Sequence, residues 1–245
     1  MHNSLNRYDN IAVDYGRKRK KPWKYFIEFL EKCEENDIDI ERRLGSICCD
    51  LGCGTGRHTD VLMKYCDMYI GTDLSFRMLT IANGKLMQEQ YIACDMKNMP
   101  LRNECLSSIV SIAVVHHLRK NTDRKHALKE IKRLIEANGA AIFSVWSAIK
   151  GRNSKAVKRK RFRKRMAGSN ADNNEPKTLF LPWKCSTSQG RSIEIMRVYH
   201  LYTLNELFDF EKEFDVKYRA IIGDERAGNN YFLLALKPHD RQSTA

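Results

Sequence analysis

The sequence predicts an α/β fold, a doubly wound and largely parallel sheet of seven strands. Three observations carry this. Short apolar runs alternate with helical patterns from Pro22 to Val145, a glycine-rich turn follows the first run directly, and two alternating runs near the end are joined by turn residues.

Trp23, Phe26, Ile27 and Leu30 recur at helical spacing, so a helix is expected from Pro22 to Cys33 with the proline in its first turn. Ser46 to Leu51 is a short apolar run ending at Gly52, the pattern of a buried parallel strand. Met68–Thr72, Tyr91–Cys94, Ser108–Val114 and Ala140–Val145 read likewise. Before the last of these, Ala127, Leu128, Ile131, Leu134 and Ile135 mark a helix that should stop at Asn138-Gly139. Asp215–Ile222 and Tyr231–Leu236 alternate, and the Gly- and Asn-rich stretch between them favours an antiparallel hairpin. Five parallel strands plus that hairpin make the seven. One domain over residues 1–245 is expected, with an N-terminal cap and basic segment over 1–45 and a basic, exposed insertion over 149–175.

Composition narrows the function classes. At 42% hydrophobic residues the chain has material for a core, and no run approaches the eighteen or so apolar residues of a membrane span. An intracellular protein, cytoplasmic or also nuclear, is expected, with no membrane partner. The 43 Lys+Arg against 30 Asp+Glu leave a net charge of +13, and two stretches create it: Lys150–Arg165 holds ten basic residues and no acid, Met1–Lys24 seven against Asp9 and Asp14. Concentrated charge of this kind suits a polyanion, whose counterions are released on binding; a solvated loop or a nuclear address has the same signature. The eight cysteines form no Cys-x-x-Cys pair, so a zinc site is not expected and they read as small buried hydrophobes in a reducing compartment.

Asp50-Leu-Gly52-Cys-Gly54-Thr-Gly56 follows the first strand, where a doubly wound sheet opens its ligand crevice. Alternate glycines let the backbone approach a ligand. The third glycine comes one residue early for the dinucleotide fingerprint, and no Gly-Lys-Ser/Thr is present, so neither phosphate motif is matched. Asp73 closes the second strand, where a carboxylate can accept two ribose hydroxyls; Leu74 follows it. Asp95 closes the third, and with the amide of Met96 it offers an acceptor and a donor to an adenine edge.

With those residues the stretch Ser46–Val145 resembles the S-adenosylmethionine-dependent methyltransferases of the seven-stranded, Rossmann-like class. The resemblance implies strand order 3-2-1-4-5-7-6 with strand 7 antiparallel, S-adenosyl-L-methionine as cofactor and S-adenosyl-L-homocysteine as product. It sets Gly52, Gly54 and Gly56 at the methionine moiety, Asp73 at the ribose and Asp95 at the adenine. Beyond the cofactor core, Tyr8-Asp-x-Ile11-Ala12, Arg19-x-Lys21-Pro22-Trp23, His116-His117-Leu118, Leu181-Pro182-Trp183 and Arg197-Val-Tyr199-His200-Leu201-Tyr202 are similar to the tRNA wobble-uridine carboxymethyl methyltransferases, the group containing the methyltransferase domain of AlkB-type tRNA enzymes. Val198, Lys18 and Asn230-Tyr231 depart from the usual tyrosine, threonine and Asn-Trp of that family.

That resemblance implies methyl transfer to the carboxylate of 5-carboxymethyluridine at wobble position 34. A carboxylic acid with a pKa near ~4 is already ionised at neutral pH, so the attack needs no strong base, and positioning should dominate. Arg197 is expected to hold the acceptor carboxylate bidentately, Arg19 to do likewise or bind a neighbouring phosphate, and His116, Tyr199 and His200 to contact the uridine; Tyr8 is expected as a cofactor lid. His117 is expected only to cap the following helix. Residues 176–205 form the substrate-side segment. Lys18, Arg19, Lys21 and the run Lys158, Arg159, Lys160, Arg161, Arg163, Lys164 and Arg165 are expected on phosphates of the tRNA anticodon stem-loop. The third strand should lie at a sheet edge, where the family docks a small zinc-binding activator subunit; a heterodimer follows, the zinc belonging to the partner. The alternatives are a methyltransferase acting on ribosomal RNA or a small acid, and a catalytically silent RNA-binding scaffold.

Overall fold

Apolar residues that run on without alternation can bury both faces of a strand only in the middle of a covered sheet. The computed structural model of the chain describes residues 8–84, 90–148, 178–186, 192–224 and 228–238. The basic run from Lys158 to Arg165 lies outside them.

The helices are α1 (Ala12–Lys18), α2 (Lys24–Glu35), α3 (Ile40–Leu44), α4 (Thr59–Leu62), α5 (Phe76–Asn83), α6 (Asn121–Leu134) and α7 (Phe208–Glu213). The strands are β1 (Ile47–Leu51), β2 (Met68–Asp73), β3 (Gln90–Ala93), β4 (Leu106–Ile112), β5 (Ile135–Trp146), β6 (Thr178–Ser186), β7 (Ser192–His200), β8 (Asp215–Asp224) and β9 (Gly228–Leu236). Seven of them form one sheet in the order β3-β2-β1-β4-β5-β9-β8, with β9 antiparallel to both neighbours. This is the expected topology, β8 and β9 being the sixth and seventh strands of that sheet.

Successive residues of the central strands serve opposite layers. Cys49, Ile109 and Leu233 pack with α6 and α7, whereas Cys48, Val110 and Leu234 pack with α2 and α3. Cys33, Cys48 and Cys49 are fully buried, and burial pushes the Cys33 thiol up to about 12, so it acts as a hydrophobe.

Two elements differ from expectation. The helix expected to run to Asn138-Gly139 ends at Leu134, because Ile135 turns extended and pairs with Leu106; the register then slips, and Asn138 takes a positive φ of 64° before Ala140 meets Ser108. The substrate-side segment holds an antiparallel hairpin, β6–β7, that the sequence reading left without strands. Its signal was present: Leu181, Trp183 and Cys185 alternate into the interior. Trp183 and Cys185 pack against Ile11, Ala12 and Met78, so hairpin, α1 and α5 form a third core above the strand ends. Trp183 Nε1 donates to Asp14 of α1 (2.8 Å), which fixes one to the other. None of the described helices is long and apolar enough to cross a membrane.

Candidate active site

A cleft of ≈ 1380 Å³ opens at the carboxyl ends of β1, β2 and β4, beneath α1 and the hairpin. Its floor follows from the glycine turn. Gly52 leaves β1 with φ +75°, and the amides of Gly52 and Cys53 both donate to the carbonyl of Thr72 on β2 (2.7 and 2.9 Å). A Cβ on Gly52 would stand 2.5 Å from both methyls of Val114. Gly54 (φ +59°) donates its amide to Asp73 Oδ2 (2.9 Å), and Ser75, the N-cap of α5, donates its amide to Oδ1 (2.8 Å). Burial lifts the Asp73 carboxyl above its ordinary value against the pull of these amides. Each carboxylate oxygen keeps a lone pair for a ligand hydroxyl. Asp95 accepts from the Lys97 amide (3.0 Å), and Leu74, Asp95 and Met96 line the same cleft.

Asp50 and Gly56 stand elsewhere. Asp50 is 1% exposed beneath the turn and accepts from Tyr69 (3.1 Å), while a Cβ on Gly56 would meet Thr59 and Ala82; neither lines the cleft. Burial pushes the Asp50 carboxyl up to about 7. The folded chain therefore holds this proton more tightly than the unfolded chain, whose carboxyl titrates near ~4. The stabilisation is full below about pH 4 and lost as pH rises through about 7. Asp50→Asn should consequently gain on the parent chain between pH 4 and pH 8 by up to about 4 kcal/mol, measured from urea midpoints; an equal difference at both pH values would refute a buried, proton-holding Asp50.

The opposite half of the cleft is aromatic and cationic. Arg197 of β7 lies over Trp183 (4.5 Å) and Tyr199 (5.5 Å), and its Nε is buried with no hydrogen-bond partner among the described residues. The β6–β7 register opposes Arg197 to Leu181, so Trp183 is its diagonal neighbour. Tyr199 is 2% exposed and stacks on Trp146 (4.4 Å), forming a wall behind the arginine. Tyr8 closes over it: its hydroxyl lies 3.2 Å from His117 Nδ1 and 3.4 Å from Tyr199 Oη.

Neither histidine stands where the sequence reading put it. His116 is fully buried and its Nδ1 accepts the Trp146 amide (3.2 Å), so it supports the wall from behind and does not line the cleft. His117 caps no helix through its side chain; it lines the cleft, and burial, with Arg197 nearby, drives its pKa down to about 3, which keeps it neutral at physiological pH. No period in the sequence separates adjacent residues in a three-residue turn, Val115–His117, so only the fold decides which one faces inward. His200 lines the cleft, paired with Glu206 (2.6 Å). Arg19 lies over Trp183 (5.8 Å), outside the lining. Lys18 is engaged by Asp14 (2.7 Å) and the Lys184 carbonyl (3.0 Å), whereas Lys21 is exposed. Tyr15, Arg57, Lys97, Arg124 and Glu206 line the cleft without having been anticipated.

Residues 49–143 match a family model described as a methyltransferase domain. The chain is 32% identical over 158 residues to the tRNA (carboxymethyluridine(34)-5-O)-methyltransferase ALKBH8 of Mus musculus, covering 63% of this chain and 22% of that protein. It is 30% identical over 145 residues to the tRNA (carboxymethyluridine(34)-5-O)-methyltransferase of Saccharomyces cerevisiae, covering 59% of this chain and 48% of that one. The matched stretch thus spans less than half of either relative. Among solved structures, an S-adenosylmethionine-dependent methyltransferase from Clostridium acetobutylicum superposes with a TM-score of 0.63 at 14% identity, over 95% of this chain and 100% of that one. A chain from the complex between the Haloferax volcanii Trm112 methyltransferase activator and its methyltransferase-like partner does so at 0.62 and 13%, over 95% and 98%. The chain therefore joins a match to a methyltransferase-domain model over residues 49–143 to a seven-stranded sheet, and over part of its length it is similar, at about 30% identity, to the tRNA (carboxymethyluridine(34)-5-O)-methyltransferases.

Proposed function

We propose that this chain methylates the carboxylate of 5-carboxymethyluridine at wobble position 34 of tRNA, with S-adenosyl-L-methionine as donor, forming the methyl ester. The carrying observation is that one cleft holds a glycine floor with two strand-end acids on one side and, on the other, a stacked guanidinium whose buried Nε has no hydrogen-bond partner among the described residues.

The donor half fits the cofactor. Gly52 and Gly54 present bare backbone at positive φ, Asp73 keeps acceptor capacity for the ribose, and Asp95 with Met96 and Leu74 flanks the adenine end. When bound, S-adenosyl-L-methionine supplies an electrophilic methyl group on sulfur. Tyr8 and Tyr15 cover the cleft and exclude water. In the acceptor half, Arg197 presents donors suited to a carboxylate and fixes its direction, while neutral His117 places no competing cation beside it. Neither histidine is needed as a base, since the acceptor is already an anion at neutral pH.

Lys18, Arg19 and Lys21, with the basic run over 158–165, are proposed to bind the anticodon stem-loop, and residues 176–205 to face the acceptor nucleotide. The activator is proposed to add its strand to β3, which pairs only with β2 among the described strands. The direct test is mass spectrometry of wobble nucleosides after incubating the chain with donor on tRNA lacking the ester, with and without the activator. The methyl ester of 5-carboxymethyluridine is expected, more of it with the activator. Its absence in both, with donor binding intact, would exclude this acceptor and leave the silent scaffold or another substrate.

A further inference from the structure

Glu206 was not anticipated from the sequence, and the obvious reason for it is structural. Thr203-Leu-Asn-Glu206 is a capping box: the Thr203 amide donates to Glu206 Oε2 (2.9 Å) and the Glu206 amide to Thr203 Oγ1 (3.3 Å). That role uses one carboxylate oxygen. The other, Oε1, takes His200 Nε2 at 2.6 Å and Arg124 at 3.4 Å. Arg124 in turn donates to the carbonyls of Leu118 and Arg119 (3.2 and 2.7 Å), the loop on the acceptor side of the cleft. Glu206 and His200 both line that cleft.

Burial opposes ionisation of Glu206, yet the hydrogen bonds from His200 and Thr203 hold its carboxyl down at about 2. An ionised carboxylate only accepts, so the proton between the two groups resides on His200 Nε2. In the neutral imidazole, Nδ1 is then left as an acceptor. A uracil ring carries one imide N–H, at N3, where a cytosine carries a lone pair.

We propose that Glu206 is a positioning residue that fixes the Nε2–H tautomer of His200, so that Nδ1 accepts the N3–H of the acceptor uracil and selects that base. This rests on the reading of the cleft as a carboxymethyluridine site. A glutamine serves in a capping box as well as glutamate does, so Glu206→Gln keeps the turn and removes the charge that sets the tautomer, together with the ion pair to Arg124.

The test is NMR of ring-nitrogen-labelled histidine in the full chain, with His200→Asn identifying the His200 signals and the nucleoside 5-carboxymethyluridine as probe. The wild type should show Nε2–H, with the Nδ1 resonance moving on addition of the nucleoside. Glu206→Gln should show mixed tautomers, unchanged donor affinity and about 10-fold lower kcat/KM on carboxymethyluridine tRNA, with a Tm lowered only as far as loss of the Arg124 pair requires, which Arg124→Gln measures separately. An Nδ1–H tautomer or an imidazolium in the wild type overturns the proposal, as does an Nδ1 signal that ignores saturating nucleoside. A chain that methylates no such tRNA but gives the expected NMR retains the positioning role and loses only the assigned reaction.

Discussion

Gly52→Ala should lower stability by about 2–5 kcal/mol and weaken donor binding by at least about 100-fold. Two separate costs add at this position. An alanine at φ +75° pays for a left-handed backbone, roughly 1–2 kcal/mol. Its Cβ would also stand 2.5 Å from both Val114 methyls, and resolving that contact displaces either the turn or the wall of the cleft, typically at about 1–3 kcal/mol. The measurements are a urea midpoint and calorimetric titration with S-adenosyl-L-methionine. Val114→Ala added to Gly52→Ala should recover the steric part and leave the backbone part, so the two changes will not be additive. Gly54→Ala offers the contrast: its nearest foreign atom would be Tyr15 at 3.9 Å, so stability should fall less while donor affinity still drops. Parent-like stability and affinity in Gly52→Ala would mean that the turn does not have this conformation.

Arg197→Lys should reduce kcat/KM for tRNA roughly 100-fold and leave donor affinity within about twofold. Lysine keeps the charge but loses the planar fork and its stacking on Trp183 and Tyr199, which hold the guanidinium in one orientation before any acceptor arrives. The ammonium is also a more strongly hydrated point charge, so part of the acceptor's desolvation is no longer offset. Steady-state kinetics on carboxymethyluridine tRNA and calorimetry with the donor separate the two halves of the cleft. If donor affinity fell as far as kcat/KM, Arg197 would belong to the cofactor pocket or to the fold, and the carboxylate assignment would fail. Arg197→Ala should behave similarly but with lower stability, because Trp183 and Tyr199 lose a neighbour that covers them.

The strand-end acids and the glycine turn were legible because each depends on a local rule: a strand ends, the chain turns, and only certain residues allow that turn. The central strands were legible for the same reason, since burial on both faces suppresses alternation over five to seven residues, as in Ile47–Leu51 and Leu106–Ile112. The hairpin Thr178–His200 was within reach of the same reasoning, but Pro182 and the polar residues among its apolar ones obscured the period.

What the sequence by itself determined, then, is the alternation of the layers and the glycine turn with its strand-end acids, because helix and strand periods and turn chemistry act within a few residues of chain. Tertiary structure alone decided how the aromatic and cationic half is arranged. Arg197 meets Trp183 through the β6–β7 register, His117 faces inward while His116 does not, and Glu206 joins its near neighbour His200 to Arg124, 82 residues away in the chain. Hairpin register, the direction a short turn faces and a contact that spans 82 residues of chain all depend on how packed layers come to rest against one another, which no short-range pattern encodes.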